Sequence, residues 1–416
     1  MASRTRTFIA GLLITGLAGL GVGGIQSAAV AKSAKLQTGP GVTKSSITLA
    51  VLTDQTGPFA AASAGIAQGR QLYWIAKNAQ GGVCNRTVKF SIQDHAYNAQ
   101  NATSLYAQQQ PNVLAFDELL GSPMIAALLP SIQTDQALTM AVSFSSSLLD
   151  NPYVVVTGAT YDVEMINAVQ WLLDSGKVKA GDTIGQIYLE GDYGENAVAG
   201  TTLAAKQLGI KVAKQQIQPT TADLTAQVTA LDKAGAKVVL LTTTPTQAAS
   251  AVGVAAANGT HQFFVGSNPT YSPALMKTAA AGALQKSYVV VQSIAPFSST
   301  DPGPSNVRNE FSASFPNATP SAFVNYGYAQ GELMAQVLDT ACANKDLTRK
   351  GLLKAFQSIK SFDSKGLVAP MDFSRPGQPP ARQVMVLKPD PAVAGTLTVV
   401  APLFASKLAT KFARGT

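Results

Sequence analysis

The chain has 416 residues, too many for one core, and points to two domains of ordinary size. Its apolar share of 46% is ordinary but its charged share is only 13%, so Ser, Thr, Gln and Asn must cover much of the surface of a folded, not disordered, chain. The formal charge of +8 comes from Lys and Arg scattered singly, with no basic run or aromatic-interleaved stripe, so nucleic acid is not an expected partner.

Residues 1–31 read as an export signal. Arg4 and Arg6 form a basic segment, Phe8 to Ile25 is apolar and rich in glycine, and Ala29-Val30-Ala31 is an A-x-A cleavage pattern, with the cut expected after Ala31. The apolar run could reach across a membrane, but its glycines weaken it as a spanning helix and the cleavage pattern argues for removal. No cysteine lies near the cut, so a lipoprotein is not expected. Without Arg4 and Arg6, 29 basic residues face 23 acidic ones, a charge of +6. The stretch GLAGLGVGG lies in the discarded segment and carries no dinucleotide-binding meaning. Cys84 and Cys342 are a candidate disulfide, worth about 4 kcal/mol on the loop-entropy model, and the sequence leaves the bond open. Two Cys and two His without carboxylates at ligand spacing make no metal site, and no cofactor is expected.

Residues 32–45 are polar and read as a mobile arm. Strands at 47–52, 88–94, 113–120 and 137–142 then alternate with helices at 63–78, 99–109 and 123–134. Val88, Phe90 and Ile92 alternate with polar residues, as on an edge strand with one wet face. A second series starts near Asp162 with a helix to Leu173. It continues with strands at 183–189, 212–217, 238–242, 263–265 and 288–291 and helices at 195–208, 224–234, 247–258 and 274–281. Two doubly wound parallel α/β units follow from this order. Past Pro296 the pattern is irregular, with helices at 307–315, 322–343 and 349–358 and strand-like segments at 383–387 and 396–400. That tail must return to one of the two units, so the domains are discontinuous.

In open parallel sheets the ligand sits beyond the carboxyl ends of the strands. The first such segment, VLTDQTGPFAAASAG, ends a strand in a tight polar turn carrying Gln55 and Phe59 and then offers a helix of small residues. In GSPMIAALLP, Ser122 and Pro123 open a helix whose free N–H groups and partial positive charge can hold a carboxylate, though a plain capped helix explains them too. SFSSSLLD places Ser143, Phe144 and Ser145 at the next mouth. YLEGDYGENA contains a capping pair, Asp192 and Glu195, that leaves Tyr193 unexplained, and later mouths supply Thr243, Asn268 and Tyr271. No nucleophile and base stand at matching mouths, and His95 and His261 read as turn or surface residues, so an enzyme is not expected.

Read together, ITLAVLTDQTGPFA, YGENA and GSNPTYSPALM resemble the type I periplasmic solute-binding proteins of ABC transporters, the branched-chain amino acid group in particular. The resemblance implies two Rossmann-like doubly wound lobes joined by three crossovers, near 157–160, 292–296 and 366–372, with the ligand enclosed by hinge closure. Lobe 1 would hold 46–158 and 294–366, lobe 2 would hold 159–293 and 367–405, and 406–416 would be a tail. It implies an exported monomer that captures a small-molecule ligand in the periplasmic or cell-envelope space and serves an ABC permease in the membrane. A ligand sensor of the same fold is the alternative, and a secreted hydrolase a remoter one. By resemblance, Ser122 binds the ligand carboxylate, Ser143 to Ser145 add contacts, Tyr193 lines the second lobe, and Gln55 and Phe59 touch the ligand side chain. Where the amino acid binders place an acid for the ligand ammonium, this sequence has Asn268, a neutral amide that pairs poorly with a desolvated cation. Glu118 and Asp162 are the candidate substitutes, and Pro123 removes one N–H from the helix end. The expected solute is an amino acid, an amide or an aromatic acid.

Overall fold

Short apolar runs bounded by turn residues become strands, and the longer small-residue and amphipathic runs between them become crossover helices. Residues 35–415 are described, by a computed structural model. The export signal and its cut lie outside the described residues. In chain order the first series runs β1 (Gln37–Thr38), β2 (Ser46–Thr53), α1 (Ala60–Ala79), β3 (Thr87–Asp94), α2 (Ala99–Gln109), β4 (Phe116–Leu120), α3 (Ser122–Asp135), β5 (Thr139–Val142) and β6 (Val154–Val156). The second series runs α4 (Tyr161–Asp174), β7 (Thr183–Leu189), α5 (Asp192–Leu208), β8 (Lys211–Ile217), α6 (Thr225–Lys233), β9 (Val238–Thr242), α7 (Pro245–Asn258), β10 (Phe263–Ser267), α8 (Ala281–Ser287) and β11 (Tyr288–Gln292). It is followed by α9 (Pro302–Ser314), α10 (Ala322–Ala343), β12 (Asp346–Leu347), α11 (Arg349–Ser358), β13 (Ser361–Phe362), β14 (Met371–Asp372), β15 (Val384–Pro389), β16 (Leu397–Phe404) and α12 (Lys407–Lys411).

Two sheets form. The first has the order β3-β2-β4-β5-β6, with parallel pairing throughout. The second repeats that winding as β8-β7-β9-β10-β11 and extends it with antiparallel β15 and β16. In each sheet the winding reverses beside its first strand, between β2 and β4 and between β7 and β9, and a doubly wound sheet opens a crevice at such a point. The edge position expected for β3 holds: among the described residues it pairs only with β2, and Ile92 is 47% exposed.

The small residues of α1 have a packing cause. α10 lies against α1 so closely that a Cβ on Gly69 would stand 2.0 Å from the Val324 carbonyl oxygen, and one on Gly327 would stand 2.1 Å from the Ile66 oxygen. Cys84 and Cys342 form a disulfide, Cα atoms 5.9 Å apart, that ties the turn before β3 to the end of α10.

Three segments pass between the lobes side by side. Ala159 pairs with Ala381 and donates its N–H to Ser293 Oγ, Ile294 pairs with Val368, and Ala369 N–H donates to the Ser293 carbonyl at 2.7 Å. Two stretches differ from expectation. The segment expected as an arm is anchored from β1 on, because β1 pairs with β12 and Thr48 N–H bonds the Gly41 carbonyl. The last residues are no free tail either: α12 packs on α4, and Arg414 forms a two-pronged ion pair with Asp150 of lobe 1.

Candidate functional site

The polar turn after β2 is held by two carboxylates. Asp54 accepts from the N–H groups of Gly57 (2.6 Å) and Phe59 (2.8 Å), and Asp94 accepts from Gln55 N–H and the Thr56 hydroxyl. The turn thereby sets Phe59 at the start of α1 with its ring 4.8 Å from that of Tyr97. After β4, Gly121 takes φ 101°, a conformation open to glycine, and a Cβ there would strike Met124 and Tyr97. Ser122 follows as the first residue of α3, and its hydroxyl lies 2.7 Å from that of Ser143 at the mouth of β5.

These residues meet lobe 2 across a narrow cleft. Its lobe 1 wall is Phe59, Ala62, Tyr97, Leu120 to Ser122, Val142, Phe144 and Phe323; its lobe 2 wall is Tyr161, Tyr193, Asn268 and Pro269. The volume open to the centre of a water molecule is about 30 Å³, enough for a couple of waters, so a guest larger than a few heavy atoms must move side chains or find the lobes less tightly shut. The Tyr161 and Tyr193 rings lie 4.6 Å apart, tilted by 49°, and burial pushes both hydroxyls well above their ordinary range, so they stay neutral. Among the described residues no charged side chain lines the cleft.

An acid directly behind the cleft wall is one the sequence did not single out. Glu164, fully buried on the first turn of α4, accepts from Asn268 Nδ2 at 2.9 Å and from the Asn268 backbone N–H at 3.3 Å. Burial pushes its carboxyl up to about 8, against those hydrogen bonds, which favour the ionised form; Asp162 adds to the rise. The two acids weighed for the ammonium role lie elsewhere. Glu118 is paired with Arg70 and Thr53 inside lobe 1, and Asp162 accepts from the Ser146 hydroxyl at 2.6 Å and from Thr160.

Among the expected site residues, Phe59, Ser122, Phe144, Tyr193 and Asn268 come together on the cleft wall. Gln55 is exposed beyond the turn. Ser143 backs Ser122, and Ser145 bonds Ser147, away from the cleft. Thr243 offers its carbonyl to the Tyr193 hydroxyl from behind, so Tyr193 presents a ring and not its hydroxyl. Tyr271 turns outward to Thr396 in the turn before β16. The neighbouring serines have another partner: Ser146 and Ser147 bond Asp162, Asp192 and Asn196 of lobe 2, fastening the lobes at the rim. Tyr97, Tyr161 and Phe323 were missed. Tyr161 had a local signal, since it opens a helix directly after a crossover. His95, expected at the surface or in a turn, sits in a turn but is buried, where Nδ1 accepts the Tyr97 N–H.

The family model for periplasmic binding proteins matches residues 46–394. The chain belongs to the periplasmic binding protein family. Among solved structures, this binding protein is similar to a fatty acid ABC transporter substrate-binding protein from Thermomonospora curvata, at 40% identity over 91% of this chain and 97% of that one, TM-score 0.89. It shares its fold with a branched-chain amino acid ABC transporter protein from Thermus thermophilus with bound valine (19% identity, 89% and 99% covered, TM-score 0.77). A leucine-binding protein from Thermotoga maritima is also similar (15%, 86% and 99%, TM-score 0.74). No curated protein matches this binding protein. Among the described residues no helix is long and apolar enough to cross a membrane.

Proposed function

We propose that this binding protein is the exported solute-binding component of an ABC uptake transporter and that its guest is a small monocarboxylic acid with an apolar body. The observation that carries this reading is the cleft wall: six aromatic rings, from Phe59, Tyr97, Phe144, Tyr161, Tyr193 and Phe323, and among the described residues no charged side chain. A zwitterionic amino acid would bring an ammonium into that wall without a counter-charge, at a desolvation cost that only a paired anion offsets. Burial disfavours the ionised form of Glu164, and Asn268 stands between it and the cleft, so it is poorly placed to serve as that anion. A carboxylate, by contrast, finds the Ser122 hydroxyl and the N-terminus of α3. The 40% identity to a protein named for fatty acids supports an acid with a hydrocarbon body over an amino acid or an amide.

The test is thermal unfolding of the purified protein with three acids, propionate, isovalerate and 3-phenylpropionate, beside the matching amino acids (alanine, valine, phenylalanine) and primary amides. A ligand at one hundred times its Kd stabilises the fold by about 2.7 kcal/mol. One of the acids is expected to give the dominant shift; dominance by an amino acid or an amide would overturn the reading.

A further inference from the structure

One side of the Asn268 amide is fully engaged and the other is empty. Nδ2 donates to Glu164 Oε1, the backbone N–H of the same residue donates to Glu164 Oε2, and among the described residues Oδ1 has no hydrogen-bond partner although Asn268 is only 1% exposed and lines the cleft. The carboxyl holds the amide at one end. Turning Asn268 over would bring Oδ1 against a Glu164 oxygen and give up the 2.9 Å bond. A buried carbonyl oxygen without a donor is destabilising, so the empty Oδ1 favours a guest that brings one.

We propose that Glu164 is a specificity-determining positioning residue: by holding the Asn268 amide with Oδ1 toward the cleft, it makes the site select acids that carry a hydroxyl beside the carboxylate, the 2-hydroxy acids, over their parent acids. This rests on the acid reading given above. The carboxylate of such a guest goes to Ser122 and the α3 N-terminus in lobe 1, and its hydroxyl donates to Asn268 Oδ1 in lobe 2, so one small head group bonds both lobes and favours closure. Sites built to hydrogen-bond a substrate hydroxyl discriminate strongly against the analogue without it.

The ionised and protonated forms of Glu164 differ in how firmly they hold the amide. A carboxylate only accepts, which enforces Oδ1 toward the cleft; a protonated carboxyl can donate to a turned amide and relaxes that choice. The titratable groups around it are Asp162 and Tyr161 on its own helix and Tyr193 from α5, both tyrosines neutral, and no cation contributes to its environment. Preference for the hydroxy acid therefore sharpens as pH rises through the Glu164 titration.

The experiment is calorimetric titration of three matched pairs, lactate with propionate, 2-hydroxyisovalerate with isovalerate, and 3-phenyllactate with 3-phenylpropionate, at pH 6 and pH 9. It uses the wild-type protein, Glu164→Gln and Asn268→Ala. In the pair that fits the cleft, wild type is expected to prefer the hydroxy acid by about tenfold or more at pH 9 and by less at pH 6. In Glu164→Gln, whose amide can donate or accept, the preference should fall to about threefold or less at both pH values. Asn268→Ala should abolish the preference, which keeps the test decisive if Glu164→Gln folds poorly. Equal affinity of hydroxy and parent acids for wild type overturns this inference and leaves the acid reading standing, and so does an undiminished, pH-independent preference in Glu164→Gln. Binding by neither member of any pair overturns both.

Discussion

Glu164 gives the site a measurable signature apart from ligand binding. Its carboxyl titrates ordinarily near 4.5 and in the fold near about 8, so between those values the folded chain holds a proton that the unfolded chain has released. The sign follows: its contribution is fully present below about 4.5 and is lost as pH rises through about 8. Buried Asp117 and half-buried Glu332, each pushed up to about 7 mainly by burial, act in the same direction. The unfolding midpoint should therefore fall from pH 5 to pH 8, and the fall should be shallower in Glu164→Gln; parallel curves for the two proteins would contradict this. At the opposite wall, Ser122→Ala is expected to weaken binding of the best acid by about tenfold, the worth of one hydrogen bond to a charged group, while leaving the unfolding midpoint nearly unchanged. Unchanged affinity on titration would remove Ser122 from the site. Which residues were legible follows from geometry. Phe59, Ser122, Phe144, Tyr193 and Asn268 stand at strand mouths, and a strand mouth can be placed from periodicity. Gln55, Ser145, Thr243 and Tyr271 stand at mouths too, but side-chain direction is set by partners such as Ser147 for Ser145 and Thr396 for Tyr271, which strand periodicity does not reveal.

At the scale of elements, the crossing of α1 and α10 explains a composition that looked functional. The Ala, Ser and Gly run after the β2 turn lets a second helix lie against it, and the turn itself shapes the cleft through Phe59. Gly69→Ala should destabilise the protein by about 1–3 kcal/mol in denaturant unfolding, the usual cost of overpacking. Gly253→Ala on α7, where a Cβ would come no nearer than 3.7 Å to its neighbour, should be neutral or stabilising by up to about 1 kcal/mol. Equal effects of the two substitutions would refute the close-approach account. The alternation of strands and helices was readable because its periods are local. Where proline and tertiary pairing intervene, the reading slipped: the helix expected at 274–281 is a 3-10 turn at Pro273–Lys277 followed by α8. The two-residue strands β1, β12, β13 and β14 exist only through distant partners, so no periodicity could announce them.

For the whole molecule, closure is held at the rim as well as by the guest. The Ser146 hydroxyl of lobe 1 donates to Asp162 and accepts from Asn196 Nδ2 at 2.8 Å, both in lobe 2. Ser146→Ala should remove about 1.5–3 kcal/mol from the closed state, seen as a larger radius of gyration by small-angle scattering without ligand and a weaker acid affinity. Identical scattering and affinity would show that the serine cluster does not hold the lobes. The two-lobe architecture was legible because each doubly wound series is complete in the sequence. The tightness of the cleft was not, because it depends on six rings that six separate stretches of chain bring together. The central claim is that the acid lies between the lobes. The most direct measurement is a crystal structure of the complex with the best-binding acid. The carboxylate is expected within hydrogen-bonding distance of Ser122, with the hydrocarbon body against Phe59, Phe144 and Tyr193. An acid found instead in the wider hollow between Leu149–Val156 and Asp372–Pro380, with the interlobe cleft empty, would contradict it.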